Sequence, residues 1–247
     1  MTSPPNALAQ TADFEFAALH EARNYRQALM RDFEPYLRDN VLEIGAGIGQ
    51  ITDELRQMPK IQKLLSVEPD AAFCARFSAR FPQQDLHQGT VADLQPRTPW
   101  NAILSINVLE HIETDKEELA GYCRLLQPAM GALCLFVPAR PEIYAPIDRD
   151  FGHFRRYTRP ELRRKLEKAG FQLVQLRYYN FVGYFAWWVS FCLLKKRSFD
   201  VAAVRFFDRA IFPVVHGLES RVCQPPFGQS LLAVAIPRGS PSSRVVD

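Results

Sequence analysis

Paired cysteines are missing from this sequence. Its five cysteines, Cys74, Cys123, Cys134, Cys192 and Cys223, are odd in number and none form a C-x-x-C pair. That excludes a disulfide framework and a zinc knuckle, and a reducing cytoplasm is the expected compartment. An excess of charge is missing too. Thirty Lys and Arg stand against 27 Asp and Glu, a net charge of +3, which gives no general electrostatic case for nucleic acid. No apolar run is long. The longest, 181–194, is interrupted by Gly183 and Ser190 and is shorter than the ~20 residues that cross a bilayer. No spanning helix is therefore expected. Residues 1–12 lack the basic start and apolar run of a signal peptide and read as a disordered end, as does the Ser- and Arg-rich tail 238–247.

What is present is globular. Apolar residues make up 47% and charged residues 23% of 247, enough for one α/β domain over 13–237. Helical spacing runs from Phe16 through Leu19, Tyr25, Leu29 and Phe33 to Leu37, with a kink expected at Pro35. Short apolar runs at 41–44, 63–67, 85–88, 102–106 and 132–137 then alternate with helical segments, the pattern of a parallel sheet covered on both faces. Thr158 and Glu161 form a capping-box pattern for a helix over 159–169, closed by Gly170. Two further strands, 171–178 and 229–236, are separated by a helical insertion over 180–226, which suggests an antiparallel pair.

The segment Val41-Leu42-Glu43-Ile44-Gly45-Ala46-Gly47-Ile48-Gly49-Gln50 carries a strand into three alternate glycines and then a helix. Such a turn lets backbone approach a ligand closely. The dinucleotide spacing G-x-G-x-x-G would need glycine at 50, where the chain has Gln50. Glu43 adds a charge near the end of a buried strand, which asks for a cationic or amine-bearing partner.

These residues resemble motif I of the class I S-adenosylmethionine-dependent methyltransferases, the type 11/12-like small-molecule enzymes among them. The resemblance implies an α/β, Rossmann-like seven-stranded sheet, mainly parallel with an antiparallel last strand, an N-terminal helical cap and a helical insertion. It implies S-adenosyl-L-methionine as cofactor. Glu43 would support its methionine end, with Gly45, Ala46 and Gly47 beside the amino-acid portion, and Glu68 with Pro69 would hold the ribose. Thr90, Val91 and Asp93 would form the adenine loop. Thr90 stands where the family usually has an acid, so Asp93 or the Val91 backbone would serve instead. Asn107 and Val108 would follow the fourth strand, Asn107 through its backbone. Tyr25 would close over the cofactor or belong to the core.

The loop 138–158 should leave the carboxyl end of a strand, where ligands of open α/β sheets lie. The loop resembles, at a distance, the ubiquinone-pathway O-methyltransferases, while its Asp148 and Gly152-His153-Phe154-Arg155-Arg156-Tyr157-Thr158 resemble more closely methyltransferases often of unassigned substrate. His153 and Tyr157 are the catalytic candidates, His153 as a base with loop-pinning as its plainer role. Arg155 and Arg156 would grip an anionic substrate or lie solvated. No H-x-x-x-H or acidic cluster at metal spacing is evident, and no metal is expected.

The implied reaction is O-methylation of a small molecule, glycan or lipid-linked acceptor. The rivals are a non-catalytic S-adenosylmethionine-binding scaffold and a nicotinamide-dependent oxidoreductase. In the insertion, Trp187 and Trp188 followed by Lys195, Lys196 and Arg197 fit either of two forms. One is a lid buried against Val201, Val204, Phe206, Phe207 and Ile211. The other is an in-plane helix making peripheral contact with the inner face of the membrane through 181–197.

Overall fold

The computed structural model describes residues 21–95, 98–221 and 224–239. The expected ends at 1–12 and 238–247 lie almost wholly outside them. Helix α1 (Arg23–Phe33) gives way at Pro35 to a tight turn, Glu34–Tyr36, as a missing N–H and a fixed φ require. Then follow β1 (Asp39–Ile44), α2 (Gln50–Leu55), β2 (Ile61–Glu68), α3 (Ala71–Arg80), β3 (Leu86–Gln88), β4 (Ala102–Ile106), α4 (Asp115–Leu126) and β5 (Ala132–Pro138). A short α5 (Pro146–Asp150) lies in the loop before α6 (Arg159–Lys168) and β6 (Phe171–Tyr179). The insertion holds α7 (Phe181–Trp187), α8 (Val201–Phe206) and α9 (Phe212–Arg221), and β7 (Ser230–Pro237) ends the sheet.

The strand order is β3-β2-β1-β4-β5-β7-β6, with β1 to β5 parallel and β7 antiparallel to both of its neighbours. Alternation divides the core between two faces. Leu42, Leu133, Leu135 and Val137 pack with Leu119 and Leu126 of α4 and Leu162 of α6. Val41, Cys134 and Phe136 face Ala28, Leu29 and Phe33 of α1 and Phe212 of α9. The chain order reverses between β1 and β4, so their carboxyl ends form the crevice where such sheets bind ligands.

Only half of the capping box at Thr158 forms. Its hydroxyl accepts from Glu161 N at 3.2 Å, while the Glu161 carboxylate turns to Lys165, 3.0 Å away, an i,i+4 pair. No helix among the described residues is long and apolar enough to cross a membrane.

Candidate active site

Residues expected to act together separate into three groups. The glycine turn is the first. Gly45 has φ +72°, and a Cβ there would lie 2.3 Å from Val108 Cγ2, so a side chain is excluded by conformation and by contact. Gly45 N and Ala46 N donate to Val67 O, which ties the turn to the end of β2. Gly47 N donates to Glu68 Oε2 at 2.8 Å, and Asp70 N to Glu68 Oε1 at 2.9 Å. Burial pushes the Glu68 carboxyl up, against these two N–H donors. Pro69, next in the chain, is exposed at the rim.

Glu43 lies beneath the turn, 3% exposed. Its Oε2 accepts from Thr52 Oγ1 and Ser66 Oγ, each at 2.7 Å, while Oε1 is buried with no partner. Burial pushes its carboxyl up to about 7, the two hydroxyls working against the shift. A half-satisfied buried carboxylate beside a side-chain-free turn suits a ligand that brings a positive charge.

Thr90 and Asp93 form a second group. Asp93 Oδ2 accepts from Thr90 N at 2.7 Å and Thr90 Oγ1 at 3.0 Å, which holds its carboxyl below the ordinary range. Asp93 thus spends that oxygen on its own turn. Val91 sends its side chain into the core, against Gly121 of α4.

The third group surrounds a cavity of about 450 Å³ at the carboxyl ends of β4 to β6. Tyr25, Asn107, Glu110 and His153 line it, and the insertion roofs it with Trp187 and Phe191. Asn107 has φ +52°, and its N donates to Phe136 O at 2.9 Å. Tyr25 meets Phe136, Tyr179 and Phe212 edge-on or tilted, with centroids 5.0–6.1 Å apart, so it belongs to the core as well as to the wall.

His153 is 8% exposed. Its Nδ1 lies 3.0 Å from Asp148 Oδ1, and Nε2 is buried without a partner. Asp148 is fully buried and also binds Arg156, at 2.9 Å to Nε and 2.8 Å to Nη2. Burial opposes the Asp148 charge, but hydrogen bonds from His153 and Arg156 outweigh it and hold the carboxyl below its ordinary value. His111 packs edge-on against His153 at 4.6 Å between centroids. Burial, with His153 alongside, lowers the His111 imidazole to about 3.

Several expectations need correcting. Tyr157 does not reach the cavity. Its hydroxyl donates to Asp115 Oδ2 at 2.9 Å and lies 3.2 Å from Leu109 O, so it pins the loop to α4. Arg155 is engaged by Asp115 and Glu113 O, and Arg156 is buried under the Trp187 ring at 4.3 Å. Neither is a loose cation awaiting an anion. The lid packs elsewhere than its sequence suggested. Trp187 and Phe191 cluster with Ile143, Ala145 and Ile147, whereas Val201 and Phe206 are exposed. The two tryptophans divide: Trp187 Nε1 donates to Ile143 O at 3.1 Å, while Trp188 is 45% exposed. The helix also widens to π geometry over Trp188–Leu193, and again over Phe207–Ile211, which no sequence pattern foretold.

Three buried acids that sequence reasoning passed over lie at this end, and two of them tie segments together. Glu110 lines the cavity, fully buried. Asp208 accepts from Asn24 N and Tyr25 N at 3.0 and 2.8 Å. Glu219 accepts from Asn180 N and Phe181 N. Their signal was only an acid within an apolar stretch. Glu110, His111 and His153 also place ligand-type atoms within 4.8 Å of one another, which the spacing in sequence did not reveal.

A family model described as a methyltransferase domain matches residues 16–176. The chain belongs to the class I S-adenosylmethionine-dependent methyltransferase family. This methyltransferase chain is 27% identical over 137 residues to a probable S-adenosylmethionine-dependent methyltransferase of Mycolicibacterium smegmatis. The match covers 54% of this chain and about half, 52%, of the relative. Among solved structures, it resembles one from the complex of the Haloferax volcanii Trm112 methyltransferase activator with a methyltransferase. The TM-score there is 0.63 at 15% identity, covering 96% of this chain and 100% of the other. It also resembles the DhpI–SAH complex, with TM-score 0.59 and 14% identity over 95% of each chain. A Mesorhizobium loti S-adenosylmethionine-dependent methyltransferase gives TM-score 0.57 and 14% identity over 84% of this chain and 95% of that one. At these identities the structures establish the fold.

Proposed function

We propose that this methyltransferase transfers a methyl group from S-adenosyl-L-methionine to an oxygen of a small molecule, glycan or lipid-linked acceptor seated in the cavity. The observation that carries the reading is His153: its Nε2 is buried, unpartnered and on the cavity wall, with the ring fixed by Asp148. A carboxylate that orients an imidazole for proton transfer is a recurrent device.

The residues at the glycine turn fit the cofactor. Glu43 Oε1 is an orphaned buried acceptor for a positive group, and Gly45 and Gly47 leave the turn free of side chains. Glu68 takes the ribose hydroxyls, with Gly47 N and Asp70 N already setting its plane. When bound, the cofactor supplies an electrophilic methyl on a sulfonium. Tyr25 and Asn107 position the acceptor, Trp187 and Phe191 keep water out, and His153 meets the acceptor hydroxyl and takes its proton.

Among the described residues, nine exposed large apolar side chains lie on the insertion, Trp188, Leu193, Leu194, Phe206 and Leu218 included. Lys195 and Lys196 are exposed beside them. An apolar rim with lysines above an apolar cavity favours a lipid-linked acceptor drawn from a membrane surface. Turnover of methyl-labelled cofactor with metabolite and lipid extracts, followed by identification of the labelled product, tests the reaction. No labelled product in a protein that binds S-adenosylhomocysteine would leave the scaffold reading. Sedimentation with anionic vesicles, lost in Trp188→Ser/Leu193→Ser, tests the surface; no sedimentation at low salt removes it.

A further inference from the structure

We infer that Glu110, His111 and His153 bind one divalent transition-metal ion of zinc's class at the floor of the cavity. The inference rests on the cavity's being the acceptor site. Their ligand-type atoms lie within 4.8 Å of one another. Tetrahedral ligands ~2.1 Å from one ion lie ~3.4 Å apart, so closing a set whose atoms lie within 4.8 Å asks for side-chain shifts of up to about 1 Å.

Beside that grouping, a buried, unpartnered ring nitrogen points to a ligand. His153 is more than nine-tenths buried, with Nε2 unpartnered and Nδ1 given to Asp148. His111 packs edge-on against this ring, with centroids 4.6 Å apart. A ring held by a carboxylate or carbonyl at one nitrogen and open at the other is how ligating histidines are fixed in tautomer and direction. Two imidazoles with one carboxylate suit zinc and its transition-metal neighbours better than magnesium or calcium, which prefer all-oxygen sets.

Glu110 and His153 both border the cavity, so the ion would keep its remaining positions open toward it. Catalytic zinc sites are built this way, with three protein ligands and an open position. With its Nε2 on the ion, His153 would be a ligand and no longer the base, and an acceptor hydroxyl reaching the open position would lose its proton to water near neutral pH. The oxygen's electron pair then forms the O–C bond as the C–S bond breaks. The sulfonium sulfur receives that bond's pair and becomes a neutral thioether.

The full chain is stripped with EDTA, then titrated with Zn²⁺ by calorimetry and with Co²⁺ by visible absorption. One equivalent is expected. His111→Gln and His153→Gln should each weaken binding at least tenfold, Asp148→Asn should weaken it about 10–100-fold, and His87→Gln should leave it unchanged. Each variant is checked for S-adenosylhomocysteine affinity, so loss of fold is read separately. Absence of stoichiometric binding overturns the site, as does binding that survives the double His111→Gln/His153→Gln change. Turnover that persists in EDTA while His153→Ala is inactive also overturns the ion, and leaves His153 as the base. Ion binding by a chain that methylates nothing would preserve the metal site and remove the methyl-transfer reading.

Discussion

At the glycine turn, polar atoms are held by near neighbours. Gly47 N meets Glu68 at a separation of 21 residues, Asp70 N meets Glu68 at 2, and Thr90 meets Asp93 at 3. At the cavity His153 meets Asp148 at only 5, but the ties of its roof and rim are longer. Asn24 and Tyr25 meet Asp208 at separations of 184 and 183, Trp187 meets Ile143 at 44, and Asn180 meets Glu219 at 39. The first end is assembled by one strand–turn–helix unit and its neighbour. The roof of the second is tied to the sheet by segments far apart in sequence, Asn24 and Tyr25 with Asp208 among them. A short unit carries its function within its own pattern, whereas a site closed by distant segments can change its walls without altering the turn.

The largest expected effect separates the ends by function. His153→Ala should lower turnover about 10²–10⁴-fold while S-adenosylhomocysteine affinity stays near wild type. Steady-state rates and calorimetry measure the two, and a parallel loss of both would mean that the ends are not separable.

Next comes the lid. Trp187→Ala removes a buried ring resting on Arg156 and should cost about 3–5 kcal/mol of stability in urea unfolding. Trp188→Ala, half-exposed next to it, should change stability by no more than about 0.5 kcal/mol. Equal effects would dissolve the distinction between inner and outer faces of this helix.

Glu43 gives a pH signature to the glycine turn. Its carboxyl rises from 4.5 unfolded to about 7 folded, so the folded chain binds more protons between those values. Stability from this group is therefore full below pH 4.5 and falls as pH rises through 7, by about 3 kcal/mol in all. Melting curves of wild type and Glu43→Gln across pH 5–8 should diverge, with the slope flattened in the variant. Of the losses expected at the glycine turn, the smaller is at Glu68, where Glu68→Ala should weaken S-adenosylhomocysteine binding by roughly 1.5–3 kcal/mol. Unchanged affinity in a folded variant would remove its ribose role.

The same contrast decided what was legible in the sequence. Strand alternation, the glycine spacing and Glu68 at the end of β2 all lie within short windows, and the sheet follows from them. Val108 behind Gly45 could be expected only as a following residue, because the contact belongs to β4. Tyr157 was named a catalytic candidate because it lies in the loop after β5, and only the fold shows Asp115, forty-two residues away, accepting its hydroxyl. The grouping of Glu110, His111 and His153 crosses from the end of β4 to the loop after β5 and has no counterpart in linear spacing. The π turns escaped for a related reason. They widen helices that pack on the cavity, and helical periodicity over a single turn does not register the extra residue.

Tyr179 and Ser230 are register partners where β6 meets β7. Residues 180–229 therefore depart from and return to a single rung of the ladder. Structurally they are the loop of a hairpin, enlarged into a roof. A two-residue Asn-Gly turn could join the same rung without disturbing strand pairing. Recombination at that rung would exchange one roof for another in a single step, so acceptor choice in this fold can be inherited as a cassette while the sheet beneath evolves at its own pace.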